Sequence, residues 1–167
     1  MHHEPPTPTL AEGDDRRPFD PLLVFLAEDD DELRALLSET LQSEGLDVTE
    51  ASDGSHMLQL LRDAILGDIK RPGLVVMDVR MPRRSGVWLL EVIRRAHWST
   101  PVLLITGFAD PSVLEAADRL GARVLEKPFN VDVLQAAVRD TRFIASGRQI
   151  TEHATPRGLG RGASENT

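Results

Sequence analysis

Cysteine is absent from the 167 residues, and with it go disulfides, thiolate nucleophiles and cysteine-held zinc. Tyrosine is absent as well. Lysine is nearly so: of 19 basic residues only Lys70 and Lys127 are lysine, and the rest are arginine. No apolar run approaches the ~18 residues that suggest a membrane span. The polar, proline-rich start has no apolar stretch of the kind a secretory leader needs. These absences predict a cytoplasmic protein with no membrane partner. There is also no block of basic charge. Asp and Glu number 27 against 19 Lys and Arg, a net charge of -8. Nucleic-acid binding relies on clustered cations that neutralise phosphates, so this balance argues against a nucleic-acid partner.

The first 21 residues include Pro5, Pro6, Pro8, Pro18 and Pro21 and few large apolar residues. Such a segment cannot bury enough surface to offset its ordering entropy, so 1–21 is expected to be a disordered arm. His2 and His3 lie in it and are read as part of that arm, not as metal ligands. From Ser146 the chain is glycine-rich without hydrophobic period, and 146–167 is expected to be a flexible tail. The stretch between, 22–145, has the length of one compact domain. It contains no internal repeat.

Two periods alternate within 22–145. Leu22 to Ala27, Leu74 to Met77 and Val102 to Ile105 are continuous apolar runs, as expected of strands covered on both faces. Leu46 to Ala51 and Ala122 to Leu125 read as two further strands. Between them, apolar residues recur at helical spacing: Leu33, Leu36, Leu37 and Leu41; Met57, Leu58, Leu60, Leu61 and Ile65; Val87, Leu90 and Ile93; Val113, Ala116, Ala117 and Leu120; Val131, Leu134, Val138 and Ile144. Gly45, Gly67 and Gly121 stand where helices should stop, and Asp53-Gly54 reads as a turn. Strand and helix thus alternate five times. That order predicts an α/β fold with a parallel sheet and helices on both faces. In such folds ligands bind beyond the carboxyl ends of the strands.

The residues at those ends are unusual. Glu28-Asp29-Asp30-Asp31-Glu32 follows the first strand. Asp30 or Asp31 can cap the next helix, but Glu28 and Asp29 sit on the strand end itself, where packed carboxylates repel unless a cation lies between them. Magnesium, a cation that prefers oxygen ligands, fits that need. Asp78 ends the third strand. The next helix begins only after Pro82 and Gly86, too late for Asp78 to cap it, and a buried acid needs a partner or a metal. Thr106 ends the fourth strand, a residue unremarkable by itself. Lys127 follows the fifth, and a lysine kept in so arginine-rich a chain suggests that a compact point charge is wanted there. Three carboxylates, a hydroxyl and an ammonium together suit phosphoryl transfer onto a carboxylate. Mg²⁺ on the acids would neutralise the incoming group, Asp78 would attack in line, and Thr106 and Lys127 would hold phosphoryl oxygens.

Over 22–145 the pattern resembles the receiver domains of bacterial two-component response regulators. The resemblance rests on Glu28-Asp29 followed by Arg34; Asp78 with Met81-Pro82 and Gly86; Ile105-Thr106-Gly107; and Glu126-Lys127-Pro128-Phe129. The Thr-Gly and Glu-Lys-Pro-Phe strings are most like those of nitrogen-regulation and nitrogen-fixation receivers. The resemblance implies a doubly wound, flavodoxin-like fold with five parallel strands in the order 2-1-3-4-5. It implies phosphorylation of Asp78 by a sensor histidine kinase or a histidine phosphotransfer protein. It implies Mg²⁺ held directly by Asp29, Asp78 and the backbone carbonyl of Arg80, with Glu28 acting through water. Thr106 and Lys127 would contact the phosphoryl group. Such a protein is a signalling phosphoacceptor; the only activities expected of it are its own phosphorylation and dephosphorylation.

Two features depart from the family. Three residues before the lysine, where receivers usually carry an aromatic switch, stands Val124. The segment from Gly67 to Gly73 is a somewhat long link, read as a surface loop. Only 22 residues follow Ala145, so a stand-alone receiver without a DNA-binding domain is expected. Its output would be protein binding through 110–145, which is also the family's usual dimerisation face. Three alternatives use the same residues. One is a phosphate shuttle or sink in a phosphorelay. Another is an aspartate-nucleophile phosphohydrolase of the haloacid-dehalogenase type, although such enzymes want an acid two residues beyond the nucleophile, where this chain has Arg80. The third is an interaction module with an idle site. Trp88 and Trp98 are read as packing or partial-surface residues, not as nucleic-acid stacking platforms, and no metal role is read for His56, His97 or His153.

Overall fold

The computed structural model describes residues 21–145. Apart from Pro21, the arm expected over 1–21 and the tail expected over 146–167 lie outside the described residues, as do His2, His3 and His153. The elements run β1 (Leu23–Ala27), α1 (Asp31–Ser43), β2 (Asp47–Ala51), α2 (Gly54–Leu66), β3 (Leu74–Asp78), α3 (Gly86–Arg95), β4 (Val102–Thr106), α4 (Pro111–Arg119), β5 (Arg123–Glu126) and α5 (Val131–Ala145). All strand pairs are parallel, in the order β2-β1-β3-β4-β5. The parallel sheet agrees with the alternating periods, and the doubly wound strand order is the one that the family resemblance implies.

The alternation within the strands divides the core in two. Phe25, Ala27, Val75, Met77, Val102 and Leu104 turn to the face covered by α2, α3 and α4. Val24, Leu26, Leu74, Val76, Leu103 and Ile105 turn to the face covered by α1 and α5. Both faces of β1, β3 and β4 are therefore buried, which is why these strands read as unbroken apolar runs.

Asp30 caps α1, its side chain accepting from Leu33 N at 2.9 Å. Gly67 ends α2 in the left-handed region, at φ 86°, where glycine carries no Cβ penalty. Asp53-Gly54 is not the isolated turn that the dipeptide suggested. Asp53 is the N-cap of α2, accepting from Ser55 N and His56 N, and Gly54 is the first helical residue. Gly54 is buried because the carbonyl of Arg84 lies against it, leaving no room for a Cβ. The link from Gly67 to Gly73 is a loop, with Lys70 exposed on it.

Register settles which strand ends meet. Ala27 pairs with Met77, so Glu28 comes level with Asp78 on the neighbouring strand. Asp78 pairs with Ile105, and Thr106 pairs with Glu126. Lys127 then falls one step past Thr106, and its amide donates to the Thr106 carbonyl at 2.7 Å.

Candidate functional site at the carboxyl edge of the sheet

Four strands deliver the residues singled out in the sequence to one place. The Lys127 ammonium lies 3.0 Å from Glu28 Oε2 and 2.9 Å from Asp78 Oδ2. Glu28 and Asp78 are buried, 1% and 7% exposed. The cation that two packed carboxylates require is thus partly supplied by the chain itself. Asp29 is exposed beside them, and carboxylate oxygens of Glu28, Asp29 and Asp78 lie within 4.8 Å of one another.

Several hydrogen bonds hold this arrangement. Asp30 N donates to Glu28 Oε1 at 3.2 Å, and Arg80 N donates to Asp78 Oδ1 at 3.0 Å. Arg34 stabilises the β1 end from outside. Its guanidinium donates to the Glu28 carbonyl at 2.9 Å and to the carboxylates of Asp31 and Glu50. On the β3 side, Val79 N donates to the Ile105 carbonyl and Gly86 N to the Val79 carbonyl. Gly86 is another position with no room for a Cβ, which would overlap the Asp78 carbonyl oxygen. The residues from Asp78 to Gly86 are therefore folded back tightly on the strand end.

The electrostatics follow from two carboxylates sharing one ammonium. Burial pushes the Glu28 carboxyl above its usual range. The hydrogen bonds from Lys127 and Asp30 oppose that rise, and the Asp78 charge adds to it. Burial also pulls the Lys127 ammonium down, but its bonds to Asp78 and Glu28 outweigh that and hold it above its ordinary value. The site keeps an excess of negative charge, so it suits a further cation. Its side-chain donors, Glu28, Asp29 and Asp78, are all carboxylates, which favours a hard ion such as Mg²⁺ over zinc, whose sites draw mainly on Cys and His.

Thr106 is fully buried at the same edge, but its hydroxyl faces the loop after β4. It donates to the Phe108 carbonyl at 3.0 Å and accepts from Phe108 N at 3.2 Å. Arg80 stands two residues beyond Asp78, and its guanidinium lies 5.7 Å from the centroid of the exposed Phe108 ring. At the switch position, Val124 is a partly buried member of the core on the α2–α4 face. Trp98 is buried and Trp88 half-buried, stacked under Arg71 and Arg84 respectively. His56 accepts weakly from Ser52 N at 3.4 Å.

Sequence reasoning assigned no part to Phe108, and it noted Arg34 only as a mark of resemblance. It also missed the ion pair that Arg83, at φ 69°, makes with Asp53 from the loop after Asp78. A charge six residues after Glu28 and a ring two residues after Thr106 give no periodic signal. Their contacts exist only once the strands are aligned.

Known proteins bear directly on this geometry. A family profile described as the response regulator receiver domain matches residues 24–139. The transcriptional regulatory protein CpxR of Escherichia coli K12 is 38% identical over 117 residues, 70% of this chain and 47% of that protein. The chain thus spans about half the length of CpxR. Among solved structures, the chemotaxis response regulator CheY4 of Vibrio cholerae is 27% identical with a TM-score of 0.64, covering 73% of this chain and 99% of that one. NtrX from Brucella abortus is 26% identical with a TM-score of 0.65, covering 76% of this chain and 28% of that one. A special likeness to nitrogen-regulation receivers is only loosely supported, since NtrX is about as similar as the chemotaxis protein. A match that starts in β1, ends in α5 and omits no strand makes this chain a member of the response regulator receiver family of bacterial two-component signalling.

Proposed function

We propose that Asp78 accepts a phosphoryl group from a phosphorylated histidine of a sensor kinase or phosphotransfer protein, with Mg²⁺ bound by Asp29, Asp78 and the Arg80 carbonyl and steadied by Glu28 through water. One observation carries the reading: a buried Asp78 whose carboxylate is ion-paired with the Lys127 ammonium, beside two further acids. An Asp78 oxygen attacks phosphorus as the N–P bond of the donor breaks and its electron pair leaves with the imidazole. The product is an acyl phosphate. Lys127 exchanges its contact with the Asp78 carboxylate for a phosphoryl oxygen, and Thr106 donates its hydroxyl proton to another. Mg²⁺, when bound, spreads the negative charge that builds up on the transferring group. Hydrolysis by water returns Asp78 to its free form.

The output of such a cycle is protein binding. The 110–145 surface supports this with exposed Leu114, Val131 and Val133 and with the Arg123–Asp140 ion pair, and we assign both partner binding and self-association to it. The absence of any helix long and apolar enough to cross a membrane, among the described residues, is compatible with the proposed cytoplasmic setting.

Incubation with a small acyl phosphate and Mg²⁺ should add one phosphoryl group, detected by intact mass. Asp78→Asn should remove it. Equal labelling of the Asp78→Asn variant would overturn the assignment. Beryllofluoride binding should require Mg²⁺ and weaken in Lys127→Ala.

A further inference from the structure

The hydroxyl of Thr106 has one proton, and that proton is already engaged. It points to the Phe108 carbonyl at 3.0 Å, while the same oxygen accepts from Phe108 N at 3.2 Å. A hydroxyl can donate to one strong acceptor at a time. Thr106 therefore cannot serve a phosphoryl oxygen on Asp78 until it lets go of Phe108. The released carbonyl loses little, because Gly107 and Phe108 are exposed and water can take over the bond. Gly107 has open space where a Cβ would stand, so that side of the loop is not packed against the rest of the fold.

What resists the release is the Phe108 ring. It is 58% exposed, yet it is not free, since the Arg80 guanidinium lies 5.7 Å from its centroid. Arg80 belongs to the other side of the site, its backbone N bound to Asp78 Oδ1. The contact thus ties the loop after β4 to the turn after β3. Asp110 caps α4 only two residues after Phe108, so any shift of Phe108 is passed to the start of that helix. The β5 position usually filled by a switching aromatic holds Val124, so no ring there can move with Thr106.

We infer that Phe108 and Arg80 form a latch that holds Thr106 away from Asp78, and that its opening, in place of a ring on β5, couples loading of the site to α4. This rests on Asp78 being the phosphoryl acceptor. An exposed cation–π contact contributes enough to shift a two-state balance about two- to fivefold. Removing it should therefore favour the loaded state.

The test is a double-mutant cycle on the full chain, with beryllofluoride affinity in Mg²⁺ read by fluorine NMR of the bound species. Phe108→Ala should bind about two- to fivefold more tightly than the unmodified protein. Phe108→Trp, which offers a better ring to the cation, should bind more weakly. In an Arg80→Ala background, which keeps the main-chain carbonyl, the Ala–Trp difference should vanish. If beryllofluoride binds with Mg²⁺ but the Phe108 variants share one affinity, or still differ without Arg80, the latch is wrong and the acceptor assignment stands. If the unmodified protein shows no Mg²⁺-dependent binding, the acceptor assignment fails and the latch falls with it.

Discussion

Lys127→Met removes the ammonium from between two buried carboxylates while keeping most of the side-chain volume. In the native protein that ammonium lies 3.0 Å from Glu28 and 2.9 Å from Asp78, whose side chains are 1% and 9% exposed. Taking one partner from a buried pair costs about 3–5 kcal/mol. Lys127 is itself 24% exposed, so solvent screens part of this, and a discounted loss of about 2–3 kcal/mol is expected. For a domain of this size that corresponds to a fall in melting temperature of roughly 10 °C. The assay is thermal unfolding followed by circular dichroism at pH 7, low salt, with chelator present.

The pH dependence has a definite sign. Glu28 already has a raised pKa in the folded chain, and losing the ammonium raises it further. Between the unfolded value, about 4.5, and the raised folded value, the folded state binds more protons. Lowering the pH through that window therefore stabilises the variant relative to the unmodified protein, and the gap narrows towards acid. Magnesium should act in the same direction. A ligand that binds only the folded state stabilises it according to its affinity, and Mg²⁺ no longer competes with an ammonium in the variant. Its gain from Mg²⁺ should exceed that of the unmodified protein. A melting temperature within about 2 °C of the native one in chelator, or a smaller gain from Mg²⁺, would refute the charge-sharing account of this site.

Gly86→Ala drives a Cβ into the Asp78 carbonyl; overpacking of this kind costs about 1–3 kcal/mol in denaturant melts, and a loss below about 0.5 kcal/mol would mean that the turn has slack. At Asp53, alanine should lower the melting temperature by uncapping α2, whereas asparagine keeps the cap and loses only the exposed pair with Arg83, so it should lower it less; equal losses for both would show that the charge, not the cap, matters. Arg94 donates to the carbonyls of Trp98, Thr100, Leu120 and Gly121, joining α3 to the segments before β4 and β5. Charged hydrogen bonds are worth about 1.5–3 kcal/mol each without being additive, so Arg94→Met should lose about 3 kcal/mol or more by chemical denaturation and Arg94→Lys should recover less than half. Full recovery by lysine would show that charge alone suffices.

The fold was legible because its signals are local. Strands buried on both faces read as apolar runs, and glycines with positive φ marked helix ends at Gly45, Gly67 and Gly121. Asp53-Gly54 misled for an equally local reason. Asp-Gly is a turn signal, and the first turn of α2, Gly54-Ser55-His56, carries no apolar side chain to announce the helix. The site was legible only as a set of strand ends. Glu28, Asp29, Asp78, Thr106 and Lys127 could be collected from the carboxyl end of each apolar run. Their contacts could not, since Thr106 turns to Phe108 and Lys127 joins Glu28 to Asp78 only in the aligned sheet.

The strand order explains why the arrangement uses lysine. Chain direction through β1 and then β3 reverses the winding, so Glu28 and Asp78 end adjacent strands at the point where ligands bind in open α/β sheets. Strands in a sheet lie about 4.8 Å apart. A planar guanidinium favours two parallel bonds to one carboxylate, whereas an ammonium can donate to two carboxylates diverging from separate strands. Lys127 does this, with nearly equal distances to Glu28 and Asp78. Under the proposed phosphorylation of Asp78, the same absence of fixed geometry would let it pivot from the Asp78 carboxylate to an oxygen of the phosphoryl group, keeping Glu28 as its second partner. In a chain that otherwise uses arginine almost throughout, lysine at 127 supplies one small charge that bridges two acids from separate strands.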